Sequence, residues 1–475
     1  MTGHYNSIAQ IKCFLEGGKQ IAVPFRLRSG DIDYVCTDVL RLLPSKRLVL
    51  EASSAEQHVV IKLFSPAENG LRELKRENNG HKLASEAGVN VPEQVFISDN
   101  IGGCSAVIYR FVENAKSFSL SGSHINDESV VKLFELLVKL HLHGVYQDDI
   151  HMDNILMTNK ELYLIDLGSV VCEKKGILLS KKASLKNLAK LVSQFIPTEQ
   201  VKLIQRLEVY YQERGWGFDE REYEEFLELL SKVWNKRKRD YLSKCFRTCT
   251  MTTYKHSFIR EYAFRTSFLS AISFDVVKDI ELLMSRGQVI KAGNSATVVR
   301  LEADGKQLII KRYNIKNGWH FLRRCLRQSR AAVSWRNANL LEFIGMPTPK
   351  PLGFIEQRTG WFRHTAYFIS EYTQAEQLLD VYHRRQPSKD ELEQISSIFI
   401  LLQKCRISHG DMKASNLLID CDSKVSVIDL DAMQEHGSDR LFQRKHNKDK
   451  NRFLRNWNDL KLKKIFSTLI CADDI

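Results

Sequence analysis

The feature that most constrains the fold is a polar pattern set around two short apolar runs. In ISHGDMKASNLLIDCDSKVSVIDLD, the run Leu417 to Ile419 begins directly after Asn416, and a second run, Val425 to Ile428, ends directly before Asp429. The polar turn between the runs predicts an antiparallel hairpin, so Asn416 and Asp429 should lie at the same end of it. An amide oxygen and a carboxylate are hard ligands of the kind that Mg²⁺ accepts.

Two further polar residues precede Asn416. Asp411 lies five residues before it and is placed to accept the proton of an attacking hydroxyl group. Lys413, between them, can neutralise a phosphoryl group during its transfer. The whole pattern therefore predicts a phosphotransfer site, and the ligand types predict that it uses Mg²⁺ and nucleotide phosphates.

The same pattern occurs earlier in the chain. In QDDIHMDNILMTNKELYLIDLGS, Asp149 lies five residues before Asn154, and Asp166 follows a strand, a turn and a second strand. The two aspartates are 17 residues apart here, whereas Asp411 and Asp429 are 18 residues apart. Two copies of one domain in tandem is the simplest interpretation of this repeat.

A lysine in a strand-like apolar run precedes each copy. Lys62 lies in VVIKLF and Lys311 lies in LIIKRY, which is the setting of a lysine that contacts nucleotide phosphates. Glu77 is placed to pair with Lys62, but the corresponding position in the second copy is Ser334. Neither lysine follows a GxGxxG loop, and Gly293 in AGNSAT is the one candidate loop glycine of the second copy.

The order of predicted elements indicates an α+β fold. In each half, strand-like runs are followed by apolar patterns of helical period. We therefore expect two domains, residues 1–250 and 251–475, each with a small β-rich lobe and a helical lobe. A chain of 475 residues is long enough for two cores of this size.

Composition limits the setting in which the chain works. The net charge of +13 and a pI near 9.1 favour an acidic partner. Ten cysteines without a CxxC pair argue against a zinc site and for a reducing compartment. We expect no membrane span and no secretory signal, because the chain has neither a run of about 18 apolar residues nor a basic and apolar leader. The expected location is the cytoplasm.

The second half resembles a known family. The residues KRYNIKNGWHFLRRCLRQSRAAVSWRNANLLEFIGMPTPKPLGF and the later RFLRNW are similar to the bacterial lipopolysaccharide core kinases, which phosphorylate heptose or Kdo sugars. The resemblance covers most of residues 285–460, and the first half resembles a more diverged relative. It implies two tandem protein-kinase-like domains, ATP and Mg²⁺ as cofactors, and a core sugar of a lipid-anchored saccharide in a Gram-negative bacterium as acceptor.

The resemblance also implies one role for each repeated position. Asp411 in the second copy and Asp149 in the first would be the catalytic bases. Asn416 with Asp429, and Asn154 with Asp166, would be the metal ligands. Lys311 and Lys62 would be the lysines that bind the nucleotide phosphates. Because the second copy keeps Asp411, Lys413, Asn416 and Asp429 together, we expect it to carry the main activity.

Two alternatives stay open from the sequence. One is a protein Ser/Thr or Tyr kinase, and the other is a tandem pseudokinase that acts as a scaffold in lipopolysaccharide core assembly. The basic stretch from Lys311 to Arg336 fits either a solvated face or a contact with phosphorylated saccharide or the anionic inner-membrane surface. No motif favours nucleic acid, and we expect Arg444 to Lys464 to be ordinary surface.

Overall fold

The computed structural model describes residues 6–18, 20–118, 126–159, 161–314 and 327–471. The chain divides into two compact units: the first comprises Met1–Phe195 and Glu199–Trp234, and the second comprises Ile196–Thr198 and Asn235–Ile475. Both units contain strands and helices, so the expected α+β fold class is confirmed. The domain boundary near residue 250 stays a prediction.

The first unit opens with a six-stranded antiparallel sheet of order β1-β2-β3-β4-β6-β5. Alternation in β4 places Val59, Ile61 and Leu63 in a core with Phe14, and leaves Lys62 on the opposite face. The strands are β1 Phe25–Ser29, β2 Ile32–Leu43, β3 Arg47–Ser53, β4 His58–Phe64, β5 Gln94–Ile101 and β6 Cys104–Arg110.

Short strands and helices follow this sheet in the first unit. The strands are β7 Lys116–Ser117, β8 Val145–Gln147, β9 Ile155–Met157, β10 Leu162–Leu164 and β11 Val170–Cys172. The helices are α1 Ser7–Leu15, α2 Glu68–Glu86, α3 Asp127–Leu142, α4 Lys181–Val192, α5 Pro197–Gln205, α6 Leu207–Glu213 and α7 Glu220–Lys244, with α5 and α7 containing the unit boundaries. Helix α7 begins directly after Asp219, whose carboxylate accepts a hydrogen bond from the Glu222 amide (2.9 Å).

The second unit opens with a seven-stranded antiparallel sheet of order β12-β13-β17-β18-β16-β15-β14. The segment from Gln288 to Leu301 contributes to two strands, β14 and β15, because the chain turns at Gly293 and pairs back on itself. The strands are β12 Thr252–His256, β13 Arg260–Arg265, β14 Gln288–Ala292, β15 Ala296–Ala303, β16 Lys306–Tyr313, β17 Pro351–Thr359 and β18 Phe362–Glu371.

The rest of the second unit is mainly helical. Its small strands are β19 Ala375–Gln377, β20 Ile407–Ser408, β21 Leu417–Asp420, β22 Val425–Val427 and β23 Gln434–Glu435. Its helices are α8 Thr266–Leu269, α9 Ile280–Arg286, α10 Arg330–Ile344, α11 Leu378–Arg384, α12 Lys389–Lys404, α13 Asp439–Leu454 and α14 Leu460–Cys471. None of the described helices is both long and apolar enough to cross a bilayer.

The predicted hairpin is present in the second unit. Strands β21 and β22 are antiparallel, with Leu417 opposite Val427 and Ile419 opposite Val425. All four side chains are almost fully buried, which fixes the register because a slip by one residue would turn them to the other face. The hairpin therefore holds the residues at its open end in a defined position.

In the first unit, the imidazole of His58 at the start of β4 lies between two carboxylates. His58 Nδ1 is 2.7 Å from Glu113 Oε1, and Nε2 is 3.0 Å from Glu51 Oε1. Burial alone would lower the pKa of His58, but the hydrogen bonds and charges of Glu113 and Glu51 raise it above its usual value. The protonated imidazole thus joins β4 to β3 and to the segment after β6.

This arrangement predicts a pH-dependent stability. Because the pKa is raised in the folded state, the stabilisation is complete below the usual histidine pKa and is lost as the pH rises through the folded-state value. We expect the thermal midpoint of the wild type to exceed that of His58→Gln at about pH 6 and the difference to shrink by about pH 8. Calorimetric scans of both proteins across this range measure it, and a difference independent of pH would contradict the assignment.

Candidate active site

The open end of the β21–β22 hairpin places Asn416 beside Asp429. Asn416 ends a short 3-10 helix, Ala414–Asn416, and its backbone carbonyl accepts a hydrogen bond from the Ile428 amide (2.9 Å). Asp429 follows in a left-handed backbone conformation (φ 65°), which turns the chain sharply out of the strand. The structure thus brings the two predicted metal ligands together.

The loop before Asn416 carries the predicted base. Asn416 donates through Nδ2 to the backbone carbonyl of Asp411 (2.9 Å), so the amide ties the base to the hairpin. The Asp411 carboxylate lies 3.4 Å from Lys413 Nζ and 2.6 Å from Arg452 Nη2. Asp411, Lys413 and Asn416 therefore converge as the sequence predicted, and Arg452 is a neighbour that it did not indicate.

A buried carboxylate accepts hydrogen bonds from the backbone of this loop. Asp449 on α13 accepts hydrogen bonds from the backbone amides of His409 (2.7 Å), Gly410 (3.1 Å) and Met412 (3.5 Å). Gly410 is required there, because its φ is 81° and an added Cβ would lie 2.6 Å from the Ala432 carbonyl oxygen. The loop conformation thus depends on α13 as much as on its own sequence.

The expectation that Arg444 to Lys464 is ordinary surface is therefore wrong. Asp449 and Arg452 contact the predicted catalytic loop, His409 to Asn416, and Asn456 Oδ1 accepts a hydrogen bond from the Ala414 amide (2.9 Å). From the sequence alone, polar helix residues that contact another segment cannot be distinguished from polar residues that face solvent. The resemblance of RFLRNW to the kinase family was the one available signal, and Arg452 and Asn456 both belong to it.

Lys311 on β16 reaches the same site and forms an ion pair with Asp429. Burial alone would lower the pKa of Lys311, but Tyr313 and the carboxylates of Asp429 and Asp431 raise it above its usual value. Burial would likewise raise the pKa of Asp429, whereas the charge of Lys311 lowers it. Both groups are therefore held in their charged forms. Ser334 instead contacts Tyr313, with 2.8 Å between their hydroxyl oxygens.

The loop at Gly293 lies between β14 and β15. Side chains of other segments donate hydrogen bonds to its backbone carbonyl groups. Gly293 O accepts from Asn314 Nδ2 (3.1 Å), and Ser295 O accepts from Arg330 Nη1 (3.4 Å). Arg330 also forms an ion pair with Asp431, two residues after the predicted metal ligand. Arg330 and Asp431 are site residues that spacing did not reveal, because each belongs to a segment with several similar charges.

The first unit repeats the backbone of this site. Asn154 Nδ2 donates to the Asp149 carbonyl (3.3 Å), and the Asn154 carbonyl accepts from the Ile165 amide (2.8 Å). Asp166 again has a left-handed conformation (φ 56°). Gln147 donates to the Ile165 carbonyl (3.3 Å), and His409 Nε2 lies 2.9 Å from the carbonyl of Ile428, the residue before Asp429. Gln147 and His409 thus contact the corresponding backbone carbonyl in the two copies, although the two residues differ.

The charged contacts differ between the copies. In the first unit Lys62 forms an ion pair with Glu77, as predicted, and Glu77 Oε2 also accepts from the Gly168 amide (2.9 Å). Asp166 contacts two arginines, Arg47 (2.9 Å) and Arg41 (3.2 Å). The first copy therefore pairs its lysine with a glutamate and its aspartate with guanidinium groups.

The basic stretch lies largely outside the described residues. Lys316, Trp319, Phe321, Arg323 and Arg324 all fall there, so its arrangement beside the site stays a prediction. Within the described part, Arg327 is exposed, and Arg336 forms an ion pair with Glu435 (2.7 Å). Arg336 thus has a structural partner within the second unit.

Comparison with known proteins identifies one family model and similar solved structures. Residues 281–466 match the family model described as the lipopolysaccharide kinase (Kdo/WaaP) family. No curated protein matches the chain. Among solved structures the chain is similar to the bifunctional kinase-methyltransferase WbdD, with 17% identity and a TM-score of 0.29 over 45% of this chain and 54% of that one. The chain thus spans about half the length of that protein.

The family match covers the strand with Lys311, the catalytic loop and Asp429. A kinase family implies a nucleotide substrate and usually a divalent metal ion, and this family implies a saccharide related to lipopolysaccharide. Residues 281–466, which are less than half of the chain, are thus similar to the lipopolysaccharide kinase (Kdo/WaaP) family, and the match supports a phosphotransferase of the kinase class.

Proposed function

We propose that the second unit transfers the γ-phosphoryl group of ATP to a sugar hydroxyl of the lipopolysaccharide core, with Mg²⁺ as the metal ion. One observation carries the proposal: Lys311, Asp411, Asn416 and Asp429 lie at one site within the segment that the family model matches. The family gives the substrate class, and the site gives the groups that the reaction needs.

The donor set fits Mg²⁺. Asp429 contacts Lys311 through Oδ1, and Asn416 uses its nitrogen rather than its oxygen in the bonds to Asp411. A carboxylate oxygen and an amide oxygen are thus the protein ligands, and such a cation is usually completed by water and nucleotide phosphates. Bound Mg²⁺ would supply positive charge against the phosphate oxygens.

The chain's own residues would act in a simple order. Lys311 holds the nucleotide phosphates, and Asp411 accepts the proton of the sugar hydroxyl as its oxygen bonds to the γ-phosphorus. The bond between that phosphorus and the bridging oxygen breaks, which releases ADP. Lys413, beside Asp411, offsets the negative charge of the phosphoryl group in transit.

The test is transfer of ³²P from labelled ATP to purified core saccharide, compared with transfer to protein. We expect label in the saccharide, and a loss of at least about 10²-fold for Asp429→Asn, which removes the metal-binding charge but keeps the side-chain size. Asp439→Asn is the matched control, because Asp439 is an exposed acid paired with Arg406 (3.0 Å) in the same unit. Label in protein alone would favour a protein kinase, and no transfer to either acceptor would favour a scaffold.

We also propose that the protein works at the cytoplasmic face of the inner membrane, held there by charge. The support is the net charge of +13 and the arginine-rich sequence from Lys311 to Arg336. Each basic side chain near an anionic surface contributes about 1 kcal/mol, so replacing Arg323, Arg324 and Arg327 with glutamine should remove about 3 kcal/mol of binding. Sedimentation with anionic vesicles at low salt measures this loss.

A matched triple variant separates position from total charge. Lys461, Lys463 and Lys464 are exposed, and their replacement by glutamine changes the net charge equally. We expect this control to bind vesicles nearly as well as the wild type, and high salt to weaken all of the proteins. Equal losses for both triples would show that total charge, not this stretch, determines binding.

A further inference from the structure

Both carboxylate oxygens of Asp166, the aspartate at the site of the first unit, accept hydrogen bonds from arginine side chains. Asp166 Oδ1 accepts from Arg47 Nη1 (2.9 Å) and Asp166 Oδ2 accepts from Arg41 Nη1 (3.2 Å). The side chain of Arg47 is only 13% exposed and that of Asp166 only 24%, so this pair is shielded from water. Each carboxylate oxygen that could bind a metal ion therefore already has a guanidinium partner.

Both arginines flank one turn. Arg41 lies near the end of β2 and Arg47 begins β3, and the residues between them hold the position that the Gly293 loop has in the second unit. In each sheet this turn joins the two strands that precede the strand with the lysine, Lys62 or Lys311. The turn of the first unit is thus placed where nucleotide phosphates would be covered.

This turn cannot offer its backbone amides to phosphate. The Ser45 amide donates to the Phe14 carbonyl (3.1 Å), and the Lys46 amide donates to the Leu43 carbonyl (3.0 Å). The Lys46 carbonyl in turn accepts from the Ser65 amide (3.0 Å), so the turn is fixed to its neighbours. Any phosphate bound here must therefore be recognised by side chains.

The side chains at this position are suited to an anion. Arg41, Arg47 and Lys62 bring three positive charges to the neighbourhood of Asp166, where Lys62 is already matched by Glu77. The buried Nε of Arg47 has no hydrogen-bond partner among the described residues. A guanidinium group with a spare donor is a typical phosphate contact.

A metal ion at Asp166 would compete with the guanidinium groups of Arg47 and Arg41, which contact one carboxylate oxygen each. A divalent cation would have to displace both guanidinium groups from a charged carboxylate and then lie beside them. The donor set thus fits Mg²⁺ poorly in the first unit, in contrast to that of Asn416 and Asp429.

We propose that the first unit binds a phosphorylated small molecule without a divalent metal ion, with Arg41 and Arg47 supplying the positive charge. The ligand is a nucleoside phosphate or a sugar phosphate, because both present the same phosphate group to the arginines. This replaces the expectation that Asn154 and Asp166 hold Mg²⁺, and it makes the first unit a binding site rather than a second transfer site.

The test uses the full chain with Asp429→Asn, so that the metal site of the second unit is impaired. Calorimetric titrations with ATP, and separately with glucose 1-phosphate, are made in Mg²⁺ and in EDTA. We expect one of these probes to bind in EDTA at least as tightly as in Mg²⁺. Arg47→Gln should weaken this binding about 10-fold, since it removes a charge-assisted hydrogen bond.

Two further variants make the result decisive. Asp166→Asn should bind the probe as tightly or more tightly, because it removes a carboxylate that competes for the guanidinium groups, whereas a metal ligand would be essential. Arg28→Gln is the matched control, as Arg28 is an exposed arginine of β1 in the same unit. If Arg47→Gln does not fold, as judged by circular dichroism, the more exposed Arg41→Gln takes its place.

Each remaining outcome contradicts the proposal. Binding that appears only with Mg²⁺, or that Asp166→Asn abolishes, would restore a metal site to the first unit. Binding insensitive to both arginine variants would place the ligand elsewhere, and failure of both probes to bind would remove the site. Because the second unit is impaired throughout, none of these results depends on whether it phosphorylates a core sugar.

Discussion

Replacing Asp411 with asparagine is expected to lower the rate of phosphoryl transfer by a factor of about 10² to 10⁴, the usual contribution of a general base. The substitution keeps the size of the side chain and its proximity to Arg452, but an amide does not accept the proton of the sugar hydroxyl. Single-turnover transfer of ³²P to core saccharide measures the loss, because it separates the chemical step from product release.

The equivalent substitution in the first unit is the control. Asp149→Asn changes the corresponding position of the repeated loop, and we expect a much smaller loss because we propose that the second unit carries the reaction. If Asp149→Asn silenced the enzyme while Asp411→Asn did not, the roles of the two units would be reversed. Equal losses would mean that both units are needed for transfer.

Replacing Asp449 with alanine is expected to impair stability and transfer together. The carboxylate is 2% exposed and accepts hydrogen bonds from three backbone amides of the catalytic loop. Hydrogen bonds to a charged group contribute about 1.5 to 3 kcal/mol each, so losing the two shorter ones should cost about 3 to 6 kcal/mol of unfolding free energy. Urea denaturation followed by tryptophan fluorescence measures the loss.

Asp439→Ala provides the comparison, since Asp439 begins the same helix but is exposed and paired with Arg406 at the surface. Exposed ion pairs contribute about 0 to 1 kcal/mol, so this variant should stay close to the wild type. Asp449→Asn should recover part of the stability, because its amide oxygen still accepts hydrogen bonds. A fully stable and active Asp449→Ala protein would show that the loop holds its shape unaided.

The sequence predicted those parts of the site that depend on local patterns. The alternation in VVIKLF placed Lys62 on the face opposite the core, and the apolar runs around Asp420 to Lys424 predicted the hairpin that joins Asn416 to Asp429. Periods of two residues and polar turns follow from backbone geometry, so a single segment is enough to reveal them.

The parts that the sequence did not predict depend on contacts between distant segments. Asp449 lies 40 residues after His409, and Arg47 lies 119 residues before Asp166. A charged residue has many possible partners at such separations, and burial alone decides which of them are formed. The same limit applies to Lys311, whose partner is Asp429 rather than a glutamate of α10.

The support of the catalytic loop by α13 has a consequence for the growing chain. Ribosomal synthesis proceeds from the N-terminus, so His409 to Asn416 leave the ribosome before the helix that carries Asp449 exists. Until then, the backbone amides of His409, Gly410 and Met412 lack the carboxylate to which they donate. The nascent protein can therefore complete the sheet of its second unit well before its loop is fixed. A messenger cut short before codon 439 would yield a protein that has every reacting group but lacks the carboxylate that fixes the loop with Asp411.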